Sequence, residues 1–243
     1  MNNSQNVDII IPCYNEDENV FSLVDSWKKI LEKNKNFYIY FVDNGSTDKT
    51  NLNLKNAIGD EFIDNMKIVN VENNIGYGNG IKSGIFASNN EIICWTHADL
   101  QIPANNVEKI IKEFLTYKDK RKAVFKGKRE NRGMVDRFFT MMMTVIGFIL
   151  SGQLVDDINA QPKVILRENI KNIKEFPDDF SIDAHLLYTS KFKKLKIVSL
   201  YSEFNERVKN EPKGGGSFKG KIILSINTLR YFLKLIFLNK RNL

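Results

Sequence analysis

The chain of 243 residues is poor in several residue types, with two cysteines, two histidines, two tryptophans and five prolines. Two cysteines cannot supply the disulfide framework of a small secreted domain. Cys13 and Cys94 both lie in apolar, strand-like runs, so a buried and reduced state is expected. The N-terminal MNNSQNVD has no basic region leading into an apolar core, which excludes a visible secretory signal and makes the cytoplasm the expected compartment. No apolar stretch has the length and purity of a bilayer span. Phe138–Leu150 is too short, and Lys221–Asn239 is interrupted by Arg230 and Lys234. There is no internal repeat and no linker rich in Pro, Gly or Ser. A P-loop is absent, and the glycines at 76 and 78 do not complete a dinucleotide-binding fingerprint because position 81 is Ile.

What remains is ordinary globular usage, 42% hydrophobic and 27% charged. That excludes a mostly disordered chain, a collagen-like fibre and a polytopic membrane protein. The length suits one large α/β domain or two small ones. With 36 Lys and Arg against 29 Asp and Glu the net charge is +7, which points to an anionic partner. The charge is divided unevenly. Residues 1–120 hold 12 basic and 17 acidic side chains, a net of −5, whereas residues 121–243 hold 24 and 12, a net of +12.

The first half alternates strand and helix patterns. Strands are expected at Val7–Pro12, Phe37–Val42, Lys67–Val71 and Glu91–Thr96. Helices are expected at Glu18–Lys33, Leu52–Ile63, Gly76–Ser88 and Val107–Tyr117. Strands separated by helices of this length need crossovers, hence a largely parallel sheet. The second half is less regular. It has strands near Lys122–Gly127 and Lys196–Tyr201, loop and strand over Val155–Leu166, an apolar stretch at Phe138–Leu150 and a helix over Asp183–Lys194. Lys221–Asn239 reads as an amphipathic helix with Ile222, Ile226, Leu229, Leu233 and Ile236 on one face. The plainest reading packs Phe138–Leu150 into the core and the last helix onto the domain, with docking of that last helix on a membrane surface as the alternative. The simplest partition is a catalytic domain over residues 1–220 and a C-terminal appendage over 221–243.

Polar clusters follow successive strands: Pro12-Cys13-Tyr14-Asn15-Glu16, Asp43-Asn44-Gly45-Ser46-Thr47-Asp48, Asn73-Asn74-Ile75-Gly76-Tyr77-Gly78, and Thr96-His97-Ala98-Asp99-Leu100-Gln101. In an open parallel sheet, ligands bind beyond the carboxyl ends of the strands. Taken singly, each cluster reads better as a turn, a helix cap or a capped strand end. Their joint placement is what favours a site. Asp99 and Gln101, two residues apart in extended chain, point to one side and form an oxygen pair suited to Mg²⁺ or Mn²⁺. His97 is within reach of the same ion.

The set IPCYNEDENV, FVDNGSTDKT, NNIGYGNGIKSG and HADLQIP resembles the family 2 glycosyltransferases, and among them the dolichol- or polyprenyl-phosphate mannosyltransferase branch, over nearly all of residues 7–220. The resemblance implies an α/β fold of the nucleotide-sugar-binding GT-A type, inversion at the anomeric carbon and a divalent metal, Mn²⁺ or Mg²⁺. It places Pro12, Tyr14, Asn15, Glu16, Asp43, Asn44 and Ala98 at the nucleotide sugar, with Gly76 and Lys82 near the diphosphate. Asp99 matches the last acid of the family's Asp-x-Asp motif, with Gln101 beyond it and His97 in place of the first Asp. That replacement removes a negative charge and favours softer ions such as Mn²⁺. Arg129, Arg137, Lys213 and Ser217 match acceptor- or phosphate-binding positions, and Arg207 a phosphate-contacting arginine. Arginine suits this task because its planar fork donates paired hydrogen bonds.

The acceptor decides the chemistry. A polyprenyl phosphate is already ionised and needs no strong base, whereas a hydroxyl of a cell-surface glycan does, and Asp183 at a helix start is the candidate. An equally plain reading makes Asp183 a first-turn carboxylate stabilised by the helix dipole. The arginines and the amphipathic C-terminus favour the lipid phosphate, with the enzyme peripheral on the inner face of the membrane. The donor is expected to be a GDP- or UDP-linked sugar. Asp157 and Gln161 are expected to shape the sugar or acceptor pocket. Nucleic acid is not an expected partner, since the basic half lacks a recognisable module with interleaved aromatics.

Overall fold

A computed structural model describes residues 5–62, 64–129, 133–203, 205, 226, 228–231 and 233. Its centre is a sheet of seven strands in the order β3-β2-β1-β4-β6-β5-β7. In chain order these are β1 (Val7–Cys13), β2 (Phe37–Asn44), β3 (Met66–Val71), β4 (Ile92–Trp95), β5 (Ala123–Arg129), β6 (Lys163–Leu166) and β7 (Lys196–Ser202). The first four pair in parallel, as expected from the helical crossovers. β6 runs against its neighbours β4 and β5, while β5 and β7 are parallel. The chain moves outward from β1 through β2 to β3, then returns to the other side of β1 for β4. That reversal opens a crevice between the ends of β1 and β4, where open α/β sheets bind ligands.

Among the described residues, six α-helices cover the sheet: α1 (Val20–Lys33), α2 (Thr50–Ile58), α3 (Tyr77–Ala87), α4 (Ala104–Thr116), α5 (Met134–Ser151) and α6 (Ser181–Phe192). Both faces are packed, and alternate strand residues serve alternate layers. Ile9, Ile11, Phe41 and Cys94 point toward α1 and α4, whereas Ile10, Val42, Ile93 and Trp95 point toward α3 and α6. This two-sided burial explains why the central strands read as unbroken apolar runs. Both cysteines are buried and neither is in a disulfide, as expected, and burial pushes the Cys94 thiol up.

One expectation about the second half changes. Phe138–Leu150 is not a core helix. It belongs to the longer α5, where among the described side chains partly buried Met143 and Leu150 and the buried Gly147 face inward, while several large apolar side chains face outward. The reason is its position, since α5 lies over a cluster that α3 and α6 already fill. At the C-terminus the described residues between 226 and 233 are helical, and Tyr231 packs its ring against His185 of α6 with centroids 5.7 Å apart. The rest of 221–243 lies outside the described residues. Among the described residues, no helix is long and apolar enough to cross a membrane.

Candidate active site

The carboxyl ends of β1 and β2 are tied to each other. Asn15 adopts a positive φ of 52°, which its short amide side chain tolerates. Its N–H donates to Ser46 Oγ at 3.0 Å, and its Oδ1 accepts the Thr47 N–H at 2.8 Å. Asp43 accepts from the Ser46 N–H at 3.0 Å and from Asn51 Nδ2 at 2.9 Å. Glu16 is buried, its N–H donating to Thr50 and its carboxylate accepting from Asn19. The loops carrying Pro12, Tyr14, Asn15, Glu16, Asp43 and Asn44 are therefore one preorganised rim.

Asn44 extends the rim to the third cluster, donating Nδ2 to the Gly76 carbonyl at 3.0 Å. Gly76 has φ of 141°, and a Cβ there would come within 2.4 Å of the Asp178 carbonyl oxygen, so only glycine lets the 177–179 loop lie this close. Lys82, expected near a diphosphate, is buried and directed at that loop, donating to the Phe176 carbonyl at 3.0 Å and pairing with Asp178 at 2.5 Å.

Across the crevice, the pairing register aligns Trp95 of β4 with Lys163 of β6 and Lys163 with Lys126 of β5. Directly paired residues face the same side of a sheet. The two lysines have no solvent exposure. Asp183, in the first turn of α6, meets this row. Its Oδ1 accepts from Trp95 Nε1 at 3.0 Å, its Oδ2 accepts from Gln161 Nε2 at 2.7 Å, and Lys163 Nζ is 3.5 Å away. Gln161 also donates to the Tyr77 hydroxyl at 3.3 Å, and Tyr77 stacks on Phe180 with centroids 4.9 Å apart and lies tilted against His97 at 5.1 Å. Burial lowers the pKa of His97 against the pull of Asp99 and Asp183. Burial, reinforced by Asp183 and Asp99, raises Tyr77 well above the ordinary phenol value. Burial also brings Lys163 down to about 8, with Asp183 opposing.

Sequence reasoning missed Tyr77, Trp95, Lys126 and Lys163 as members of this network. The signal available was a lysine inside each of two apolar strand runs, VFKGK and KVIL. A charge at such a position must find a buried partner.

Arg129, an expected phosphate ligand at the end of β5, is gripped by Asp157. The Arg129 N–H donates to Oδ2 at 2.9 Å and Nε to Oδ1 at 3.1 Å, with Nη2 also on Oδ1. Burial alone would raise the Asp157 carboxyl, but the Arg129 charge and hydrogen bonds bring it down to about 2. Such a carboxylate stabilises the fold above its unfolded value of about 4 and loses that contribution as pH falls toward 2. Chemical denaturation across pH 2–7 is therefore expected to show a fall below about pH 4 in the wild type. Asp157→Asn should be less stable at pH 7 and flatter in the acid window. Equal slopes would remove the pair from the stability of the site. Arg137, in the first turn of α5, is exposed. Arg207, Lys213 and Ser217 lie outside the described residues. Asn205, which precedes them, donates its N–H to the Gln101 carbonyl at 2.8 Å.

Asp99 is buried at the β4 exit, and its Oδ1 accepts the Gln101 N–H at 3.1 Å across Leu100, which has φ of 60°. Ala98 beside it is buried. Among the described residues, no three His, Cys, Asp or Glu side chains gather as a metal cage. The positive φ of Leu100 makes 99–101 a tight turn rather than the extended chain expected, so spacing alone does not put the Asp99 and Gln101 side chains on one side. Three buried polar atoms, Asn44 Oδ1, Thr96 Oγ1 and Gln161 Oε1, have no hydrogen-bond partner among the described residues. They lie at the β2 and β4 exits and beside Asp183, where a polar ligand would satisfy them.

The family model described as glycosyl transferase family 2 matches residues 8–172, well over half of the chain. The chain belongs to that family. As a family 2 enzyme it is a glycosyltransferase. A human dolichyl-phosphate beta-glucosyltransferase is 24% identical over 221 residues, covering 84% of this chain and 68% of the human one. The mouse protein of the same name is 25% identical over 115 residues, covering 45% of this chain and 36% of its own. Both belong to the dolichyl-phosphate sugar transferases that the motifs resemble, although their names specify glucose where the motif reading led to mannosyltransferases. Glucosyl-3-phosphoglycerate synthase from Mycobacterium tuberculosis, in complex with Mn²⁺, UDP-glucose and phosphoglyceric acid, superimposes with a TM-score of 0.73 at 16% identity, covering 96% of this chain and 80% of that one. Its complex with Mn²⁺, UDP and phosphoglyceric acid gives 0.74 at 17% identity, covering 96% and 78%. These likenesses are of fold, and the fold is the expected GT-A type.

Proposed function

We propose that this family 2 enzyme moves a hexose, with inversion, from a nucleotide-diphosphate sugar to a polyprenyl phosphate at a membrane face. The observation that carries the choice of acceptor is the state of Asp183. Three donors, Trp95, Gln161 and Lys163, already address its carboxylate. With both oxygens engaged and the residue buried, that arrangement holds a charge in place and orients its neighbours, which fits a structural anion better than a base facing an acceptor. An acceptor phosphate brings an ionised oxygen and needs no such base. The names of the two mammalian relatives support the same reading.

In this mechanism the nucleoside lies on the rim built by Pro12, Tyr14, Asn15, Glu16, Asp43 and Asn44, with the sugar reaching toward Ala98 and Asp99. An oxygen of the acceptor phosphate attacks the anomeric carbon from the side opposite the diphosphate. The anomeric C–O bond breaks, its electron pair leaves with the nucleoside diphosphate, and no proton moves. Asp99, with His97 and Gln101, would hold a divalent cation, which supplies positive charge to the departing diphosphate. Arg129, fixed in direction by Asp157, the exposed Arg137, and Lys213, Ser217 and Arg207 are assigned to the phosphates. Residues 1–220 form the catalytic unit and 221–243 its appendage. The rival acceptor, a glycan hydroxyl, rests on the position of Asp183 in the first turn of α6, where a base is expected.

A thermal-shift panel of UDP-, GDP- and other nucleotide sugars tests the donor side. A ligand at about 100 times its Kd stabilises by about 2.7 kcal/mol, several degrees for a domain of this size. UDP-glucose is the first donor to try, given the relatives' names and the neighbours' ligands. The expected result is one donor that raises Tm in the presence of Mn²⁺ and loses the effect with chelator. No response to any nucleotide sugar would overturn the reading.

A further inference from the structure

We infer that the outward face of α5 is a docking surface for an anionic lipid bilayer. Helix α5 has only Asp136 and Arg137 as charged residues in its 18 positions. A helix apolar all round is normally buried on all sides. Here one side meets the protein through Met143, Gly147 and Leu150. On the other, Met134 is 87% exposed, Met141 61%, Val145 50%, Phe148 50% and Ile149 73%. Steps of three, four and seven residues put these on a single stripe. The stripe is long, convex and apolar, and a soluble protein seldom leaves such a patch uncovered.

Charge identifies what covers it. Arg137 in the first turn of α5 is exposed, and so is Arg230 between the exposed Ile226 and Leu233 of the C-terminal helix. Met143 and Leu150 of α5 and Tyr231 of that helix pack on the same hydrophobic cluster, so two exposed apolar helix faces share one side of the sheet. Residues 212–243 contain seven Lys or Arg and no Asp or Glu. A second copy seated on this face would bring Arg137 and Arg230 against their own counterparts, whereas anionic headgroups neutralise them. An apolar stripe flanked by cations is the pattern of a helix lying in the membrane interface. α5 opens directly after the β5 end that carries Arg129, so docking would hold the phosphate-binding edge at headgroup depth. The inference rests on the proposed lipid-phosphate acceptor only for its purpose; the surface itself is read from exposure and charge.

The test is sedimentation of the full chain with vesicles of phosphatidylcholine alone and of phosphatidylcholine mixed with phosphatidylglycerol. The wild type is expected to co-sediment with the mixed vesicles and to weaken with added salt. A variant combining Met141→Glu and Phe148→Glu should lose about tenfold or more in affinity. Phe21→Glu, at an exposed position of α1 on the opposite side of the sheet, should bind as wild type. Retention of the donor-induced thermal shift in each variant shows that it is folded. Undiminished vesicle binding by the double variant overturns the inference. So does light scattering that finds a wild-type dimer split by the same substitutions, with no vesicle binding by either form. Transfer to a short, water-soluble prenyl phosphate separates the two proposals. Activity there without vesicle binding sinks only the docking surface, whereas vesicle binding that depends on α5 supports it even if no prenyl phosphate is used.

Discussion

Asp99→Asn is expected to lower turnover on the order of a hundredfold or more at saturating donor, with little change in Tm. Asparagine has the shape of aspartate and keeps the oxygen that accepts the Gln101 N–H, so the tight turn through Leu100 survives. What disappears is the negative charge. In the proposed mechanism Asp99, His97 and Gln101 hold a divalent cation, and the one carboxylate of that set would supply most of its attraction and so most of the charge offered to the departing diphosphate. The loss should fall on kcat, and excess Mn²⁺ should restore only part of it. Full activity in Asp99→Asn would move the diphosphate anchor elsewhere on the site.

The second large effect is at Asp183, where two substitutions separate structure from chemistry. Asp183→Ala leaves the Lys163 ammonium buried without its carboxylate and removes the acceptor for Trp95 and Gln161. Breaking a buried charge pair on one side costs about 3–5 kcal/mol, so this variant should unfold at a far lower denaturant concentration or fail to accumulate. Asp183→Asn also removes the charge paired with Lys163, at some cost in stability, but keeps an oxygen to accept in the network. With a lipid phosphate acceptor its turnover should stay within about tenfold of wild type, because no proton is removed in the transfer step. A loss of two to four orders of magnitude, with the protein folded, would make Asp183 the base of a hydroxyl acceptor.

The first half of the chain was legible because its signals are local. Apolar runs ending at Pro12, Asp43 and Thr96 mark strands, and polar clusters after them mark the binding edge of a parallel sheet. The structure places those strand exits side by side and adds what spacing could not show, such as the lock between Asn15 and the Ser46–Thr47 turn. The second half was less legible because its logic is non-local. β6 is four residues long and antiparallel, and its first residue, Lys163, matters through partners on β4 and α6. Periodicity marked α5 as apolar but could not say that α3 and α6 had already filled the space beneath it. Arg129 was read correctly as a basic group at a strand end, while its clamp by Asp157 comes from a residue 28 positions away. Lys82, expected at the diphosphate, is held by the 176–178 loop.

The most direct measurement is to incubate the protein with nucleotide sugars labelled in the sugar, UDP-glucose first, together with Mn²⁺ and a polyprenyl phosphate, then partition the mixture between organic solvent and water. The expected result is label in the organic phase, released by mild acid as expected of a glycosyl phosphate and formed on the order of a hundredfold more slowly with Asp99→Asn. Label that remains aqueous across the donor panel, while a glycan hydroxyl acceptor is glycosylated in parallel reactions, would contradict transfer to a lipid phosphate.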